Sequence, residues 1–204
     1  MLKIWGRTNS ANVQKAMWAI GELGLAHERV DAGMAFGKVT EDWYLKMNPN
    51  ARVPVIDDEG FILYESNVVV RYLCCKHGRF YPQDLRTRFT AELWMDWQQT
   101  TLLPAMTPVF WGLFRTPEAQ RDYKAIAENT TLLNRLMVQL DGHLAGRDYM
   151  AGAEFSMGDI PLGAMTYRYF GLPIERPELP NVERWYARLT ERPAYRQHIM
   201  LPIS

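Results

Sequence analysis

Apolar residues recur along this chain with two different periods, and the change of period divides it. As far as Phe80, short runs with strand character fall at Leu2–Trp5, His27–Asp31, Val55–Asp57 and Phe61–Tyr64. Between the first two runs, Val13, Ala16, Met17, Ile20 and Leu23 are spaced as on one helix, and Gly24 closes it. Gly33 to Gly37 reads as a flexible loop, Glu41–Met47 as a short helix, and Gly60 as the turn of a hairpin. A helix opening with Val68, Val69 and Val70 and ending near His77 completes the order β-α-β-α-β-β-α. Strand–helix–strand implies a parallel pair with a right-handed crossover, and the hairpin adds antiparallel strands. The expected sheet is therefore mixed and four-stranded.

Beyond Gly78 to Arg86, which has linker composition, strand signals stop. Ala91–Phe114 is a long helical stretch in which Pro104 and Pro108 predict kinks, and Glu118–Leu144 carries Leu132, Leu133, Leu136, Met137, Leu140 and Leu144 at helical spacing. In Phe155-Ser156-Met157-Gly158-Asp159-Ile160, Ser156 predicts an N-cap, with Asp159 reaching back to it and a Phe155–Ile160 staple. Shorter helices follow at about Val182–Leu189 and Ala194–His198. The expectation is two domains: an α/β domain over 1–80 and an all-helical bundle over 87–204.

Composition narrows the function class. Net charge is zero at 23% charged residues, with no basic or acidic run, which points away from nucleic acid and anionic membranes and toward small molecules. Seven Trp and eleven Met suit either an adaptable apolar pocket or ordinary core. Cys74 and Cys75 are adjacent in a helix, without C-x-x-C or metal-ligand spacing, so they read as plain thiols. Met1-Leu2-Lys3 runs straight into a strand, and no apolar run is long enough to span a bilayer, so a cytoplasmic location is expected.

The chemistry concentrates around Asn48–Ser66. Proline in Val53-Pro54 cannot donate to a ladder, which predicts a tight turn, cis or trans. A cis bond there leaves the N–H and C=O of Val53 open to an extended peptide. Glu65-Ser66 sits at a helix N-terminus, where a hydroxyl and free N–H groups attract a carboxylate and Glu65 attracts an ammonium. An amino-acid head group fits one end and a peptide backbone the other.

Asn48-Pro49, Val53-Pro54, the hairpin and Glu65-Ser66 together resemble the N-P-x-x-x-V-P…E-S pattern of the glutathione transferases, and the resemblance extends over essentially all of the chain. It implies a thioredoxin-like first domain, a helical second domain with an S-x-x-D box, glutathione as co-substrate, no metal, and a homodimer. By resemblance Glu65 holds the γ-glutamyl ammonium, Ser66 its carboxylate, and Val53, beside Pro54, the cysteinyl backbone. Arg52, Lys38 and Lys46 are the alternatives for the glycine carboxylate. Aligned through Glu22-Leu23-Gly24, Ser10 falls where theta- and delta-type members place a catalytic serine and near the threonine of nu-type members, whose asparagine corresponds to Asn12. Beta-type members carry a cysteine near Asn12, and this chain does not.

Such an enzyme must acidify a thiol that is only a few per cent ionised at neutral pH, and each unit of lowering requires about 1.36 kcal/mol. Ser10 as donor, assisted by Asn12 at the mouth of the first helix, suits that task; both also suit plain capping. Thr101, Pro104, Pro108 and Trp111, with Arg7 toward an anionic group, are expected to meet a hydrophobic electrophile, and Trp94, Trp97 and Arg115 are further candidates. Conjugation is the leading function. Glutathione-dependent disulfide reduction or dehalogenation, and a non-catalytic binding role for the same fold, are its alternatives.

Overall fold

The computed structural model describes residues 1–203. The chain resolves into two compact units, Met1–Tyr81 with Pro193–Leu201, and Pro82–Arg192.

The first unit contains β1 (Leu2–Trp5), α1 (Ala11–Leu23), β2 (His27–Val30), α2 (Asp42–Leu45), β3 (Val55–Asp58), β4 (Phe61–Tyr64) and α3 (Ser66–Lys76). The sheet order is β2-β1-β3-β4, with β1 parallel to β2 and antiparallel to β3, and β3 antiparallel to β4. This is the mixed four-stranded sheet that the pattern predicts. Alternation along the strands sorts the core. Leu2, Ile4 and Ile56 face Val13, Ala16, Ile20, Val69 and Leu73 of α1 and α3, while Trp5 and Val55 face Tyr44 of α2 on the other side.

Several boundaries shift by a residue or more, and the largest shift at a helix head has a visible cause. α3 begins at Ser66 instead of Val68, because the chain turns at Glu65 (φ 68, ψ 106) and Val69 N–H already donates to the Glu65 carbonyl. α2 is only one turn, Asp42–Leu45.

Helix α1 is buried on almost every side, from Val13 through Ile20. The sheet and α3 cover one face, and α9 (Pro193–His198) covers another. Tyr195 packs edge-on against Trp18 with ring centroids 4.7 Å apart, and both side chains are fully buried. Gly21 is what lets α9 come so close: a Cβ there would stand 2.9 Å from the His198 ring. The final helix therefore completes the first unit, although it follows the helical half in chain order.

The second unit contains α4 (Leu85–Trp97), α5 (Leu103–Phe114), α6 (Tyr123–Leu144), α7 (Asp159–Gly171) and α8 (Pro180–Thr190). Helix α4 starts inside the stretch that reads as linker, because Asp84 caps it by accepting from Thr87 N–H. Between α4 and α5 the backbone is a π-helix over Gln98–Leu102. Pro104 has no N–H to give Thr100, so the wider turn falls where the regular ladder would lose a bond. The run Glu118–Leu144 is divided: Glu118–Gln120 is a 3-10 turn, and Asp122 caps a fresh helix by accepting from Ala125 N–H. Helix α7 runs through the middle with Ile160, Leu162, Ala164, Met165 and Tyr169 buried. Asp159 at its start accepts from the N–H groups of Ser156 and Met150 and from the Trp185 indole, so the Ser156/Asp159 box also ties α7 to α8.

Candidate active site

The sheet register gathers the first group of site residues. Trp5 at the end of β1 pairs with Val55 at the start of β3, and Val55 pairs with Tyr64 at the end of β4. Consequently the loop leaving β1, the segment entering β3 and the turn leaving β4 all emerge at one end of the sheet. Those three segments carry Arg7, Ser10 and Asn12; Arg52, Val53 and Pro54; and Glu65 and Ser66. Residues far apart in sequence are thereby brought to one rim by strand pairing alone.

Each segment is fixed locally. The Ser10 amide donates to the Arg7 carbonyl at 3.2 Å, and Ser10 occupies the N-cap of α1 with extended backbone (φ −84, ψ 120). Its hydroxyl makes no capping hydrogen bond, so capping is not what occupies it. Asn12, the second residue of α1, accepts a hydrogen bond from the Ser66 hydroxyl at 3.3 Å. The start of α1 and the head of α3 are thus in direct contact.

The Val53-Pro54 bond is cis. Ahead of it, the Arg52 carbonyl accepts from the Tyr44 hydroxyl at 2.8 Å and from the Asn48 side-chain amide at 2.9 Å, so the approach to the proline is pinned from both sides. Ala51 reaches this turn only by taking φ 52, in the left-handed region. Val53 stands outside the β3 register and forms no backbone hydrogen bond among the described residues. Its N–H and C=O are therefore available to a peptide laid alongside.

Glu65 is exposed and held at φ 68, a conformation uncommon for a residue with a side chain. Ser66, by contrast, is buried at 3% exposure. The first-turn N–H groups of α3 follow at once, an anion-attracting end. Of the three cations considered for a terminal carboxylate, Lys38 donates to the Asp31 carbonyl at 2.8 Å and is occupied within its own loop. Arg52 and Lys46 are exposed. Arg7 folds toward Gly33, where its guanidinium nitrogen lies 3.2 Å from where a Cβ would stand, with Val53 beside it.

Thr101, Pro104, Pro108 and Trp111 belong to the second unit, on the π segment and α5. Pro104, Pro108 and Trp111 are exposed, while Ala105, Met106, Val109 and Phe110 on the same helix are buried. Pro104, Pro108 and Trp111 form an outward apolar stripe with the half-buried Thr101 before it, and the Arg115 guanidinium lies over Trp111, 5.4 Å from the ring centroid. Trp94 is 93% covered, meets Trp97 edge-on and lies tilted beside His143, while Trp97 is half-buried.

Two polar residues escaped the sequence reading. Lys15 in α1 is fully buried, and its ammonium donates to the Asn67 side-chain carbonyl at 2.9 Å. Burial pushes the Lys15 ammonium down to about 7, against the nearby Glu65 charge, which favours protonation. The signal was available in principle: a lysine inside the apolar run Val13–Ile20, where a surface helix would show one polar face.

The family model described as glutathione S-transferase, N-terminal domain, matches residues 6–80, and that described as glutathione S-transferase, C-terminal domain, matches residues 102–193. Glutathione S-transferase GstB of Escherichia coli strain K12 is 40% identical over 208 residues, covering the whole of both chains. Among solved structures, a theta class glutathione S-transferase from Xanthomonas axonopodis pv. citri with glutathione bound is 44% identical, with a TM-score of 0.96 over 100% of this chain and 99% of that one. Glutathione transferase F7 from Populus trichocarpa, at 22% identity and a TM-score of 0.87 over 97% of each chain, shares the fold.

Proposed function

This chain belongs to the glutathione S-transferase family, and from that premise we propose that it is a glutathione transferase joining the glutathione sulfur to small hydrophobic electrophiles. The observation that carries the reading is the convergence of Ser10, Val53 and Ser66 at one sheet end through the row Trp5–Val55–Tyr64. The chemistry of each segment matches one part of the tripeptide. Glu65 receives the γ-glutamyl ammonium, and Ser66 with the first-turn amides of α3 receives the α-carboxylate. Val53 pairs with the cysteinyl backbone, and Arg52 supplies a cation for the glycine carboxylate.

Ser10 is the thiolate donor in this scheme. Its hydroxyl is not engaged in capping, and it opens α1, whose N-terminal dipole favours an anion. Two units of thiol acidification require roughly 2.7 kcal/mol, within reach of one charge-assisted hydrogen bond plus a helix end. Asn12 has a different part. The Ser66 hydroxyl has one proton and directs it to Asn12, so an arriving carboxylate competes for that proton and couples the two subsites.

The electrophile rests on the outward stripe of Pro104, Pro108 and Trp111 and on Thr101 before it, with Arg115 beside it. The protein acts in the cytoplasm as a homodimer, a reading supported by the exposed Leu85, Phe89 and Leu93, which repeat at helical spacing along α4. No helix among the described residues is long and apolar enough to cross a membrane.

Comparison of Ser10→Ala with Asn12→Ala tests the mechanism, with glutathione affinity read by calorimetry and thiolate by its ultraviolet absorbance. Ser10→Ala should bind glutathione nearly normally yet lose the thiolate signal at neutral pH, with activity falling about 10²-fold. Asn12→Ala should retain the signal and bind more weakly. Full thiolate in Ser10→Ala would remove Ser10 from the mechanism, and no binding by the unaltered protein would remove the function.

A further inference from the structure

The chain leaves β1 through Gly6, whose N–H, α-carbon and carbonyl are each held. The N–H donates to the Val30 carbonyl at 2.9 Å, which carries the β1–β2 pairing one bond further. The α-carbon lies against the first turn of α1, where a Cβ would stand 2.3 Å from a Val13 methyl, so glycine is required there. The carbonyl accepts from the Arg29 guanidinium at 2.7 Å. Arg29 stands opposite Ile4 in the parallel register, and Ile4 faces α1, so the Arg29 side chain leaves the sheet on the side where α1 packs. The guanidinium is aimed from behind. Both of its terminal nitrogens donate to the Asp31 carboxylate, and the Asp31 carbonyl is itself held by Lys38.

A part-exposed ion pair such as Arg29–Asp31 ordinarily contributes little. Its reach to Gly6 gives it a further consequence. The Gly6 oxygen belongs to the planar peptide joining Gly6 to Arg7, so holding it sets the plane from which the loop departs. The next carbonyl, on Arg7, receives the Ser10 amide at 3.2 Å, and the Ser10 carbonyl receives the Gln14 amide at 2.8 Å. A hydrogen-bonded relay thus runs from the Arg29 fork, through Gly6 and the Arg7–Ser10 turn, to the first turn of α1.

We propose that Arg29 is a positioning residue for thiol activation: by gripping the Gly6 carbonyl it sets the Arg7–Ser10 turn, and with it the place of the Ser10 hydroxyl. The inference rests on the proposed role of Ser10 as thiolate donor and adds to it a residue of β2 that acts on the ligand only through Ser10. The demand on position is strict, since a displacement of about 1 Å at a reacting contact can cost on the order of 10²-fold. A forked, charge-assisted donor suits the task, because carboxylate and guanidinium fix each other's orientation. The segments assigned to the peptide are held by other contacts. Tyr44 and Asn48 pin the Arg52 carbonyl, and the Ser66 hydroxyl donates to Asn12. Loss of Arg29 should therefore separate activation from binding.

The test compares the unaltered chain with Arg29→Met, an unbranched side chain with no donor, and Arg29→Lys, which keeps a charged donor. The thiol pKa of bound glutathione is read from thiolate absorbance between about pH 5 and 10. Binding is read from the dissociation constant of S-methylglutathione, which has no thiol to ionise. Arg29→Met should raise the bound thiol by about one unit, a tenfold loss of thiolate well below its pKa, with S-methylglutathione affinity within about twofold. Arg29→Lys should restore most of the acidity. Both substitutions are repeated in Ser10→Ala. With the hydroxyl gone Arg29 has nothing to place, so Arg29→Met should raise the thiol no further in that background. An unshifted thiol in Arg29→Met overturns the proposal, whether or not binding weakens. A shift of equal size with and without the Ser10 hydroxyl also overturns it, because the guanidinium charge would then act on the sulfur directly. If circular dichroism shows that Arg29→Met does not fold, Asp31→Ala takes its place: Arg29 stays but loses its aim, the thiol should rise by about half a unit, and no rise overturns the proposal equally. An unchanged thiol in Ser10→Ala would instead refute the role of Ser10, and failure of the unaltered protein to bind S-methylglutathione would refute the glutathione site itself.

Discussion

Ala51 shows what a single residue contributes to the turn that leads into Val53-Pro54. It sits two positions before Val53 with φ 52, a conformation that costs a residue with a Cβ roughly 1–2 kcal/mol and costs glycine none. Glycine gives back part of that through its freer unfolded chain. Ala51→Gly should therefore stabilise the first unit by about 0.5 kcal/mol and leave glutathione affinity within twofold, as read from denaturant midpoints and calorimetry. A destabilised variant would mean that the turn depends on the alanine methyl. At this scale much was legible from residue type alone. Val53-Pro54 and Glu65-Ser66 identify themselves because few residues can be placed at a proline turn or a helix head. The contacts Asn12–Ser66 and Lys15–Asn67 were not legible, since each joins residues more than fifty positions apart and depends on how α1 meets α3. The hydrogen bond from Lys38 to the Asp31 carbonyl was hidden for a similar reason: it follows from a loop shape that no local pattern encodes.

Elements were readable where one signal dominated and shifted where two competed. Strand alternation and the glycine stop after Leu23 recovered the order of the first unit. Helix α4 began early because the Asp84 cap outweighs the polar composition around it. In the Ser156/Asp159 box the expected reach-back of Asp159 to Ser156 is present, but α7 begins at Asp159 with Gly158, not Ser156, at its cap. Burial raises the Asp159 carboxyl to about 6, against the pull of N–H donors from Met150, Ser156 and Trp185. An acid raised in the folded state holds an extra proton between about 4 and 6. Its contribution to stability is therefore best at low pH, declines as pH rises through that window and is constant above it. The total decline is on the order of 3 kcal/mol. Asp159→Asn cannot titrate and should lack this term. The unfolding free energy of the unaltered protein minus that of Asp159→Asn, followed by denaturant titration at successive pH values, should fall between pH 4 and 6 and then level. A difference that rises with pH would show that the three donors outweigh burial and hold the acid below its ordinary value.

For the whole molecule, the informative features are faces whose covering or exposure local sequence cannot set. Helix α1 is apolar nearly all round, so it needs cover on the side away from the sheet, and the cover arrives from the last helix through Tyr195 on Trp18. Helix α4 presents the opposite situation. Leu85, Phe89 and Leu93 are 61%, 63% and 59% exposed, a run of large apolar side chains that a monomer gains nothing by leaving in water. A second copy of the chain is the proposed cover, and burying one such side chain is worth about 1.5–3 kcal/mol. Phe89→Glu places a charge in the middle of that stripe without disturbing any buried residue of α4. The unaltered chain should scatter light as a dimer at micromolar concentration, and Phe89→Glu should scatter as a monomer with near-normal helix content by circular dichroism. If α4 faces solvent in the active protein, both proteins will have the same mass and the same activity, and the dimer must be sought on another face. If it faces a second copy, dilution of the unaltered protein should reproduce the monomeric behaviour of the variant, because association through a shared surface is governed by concentration.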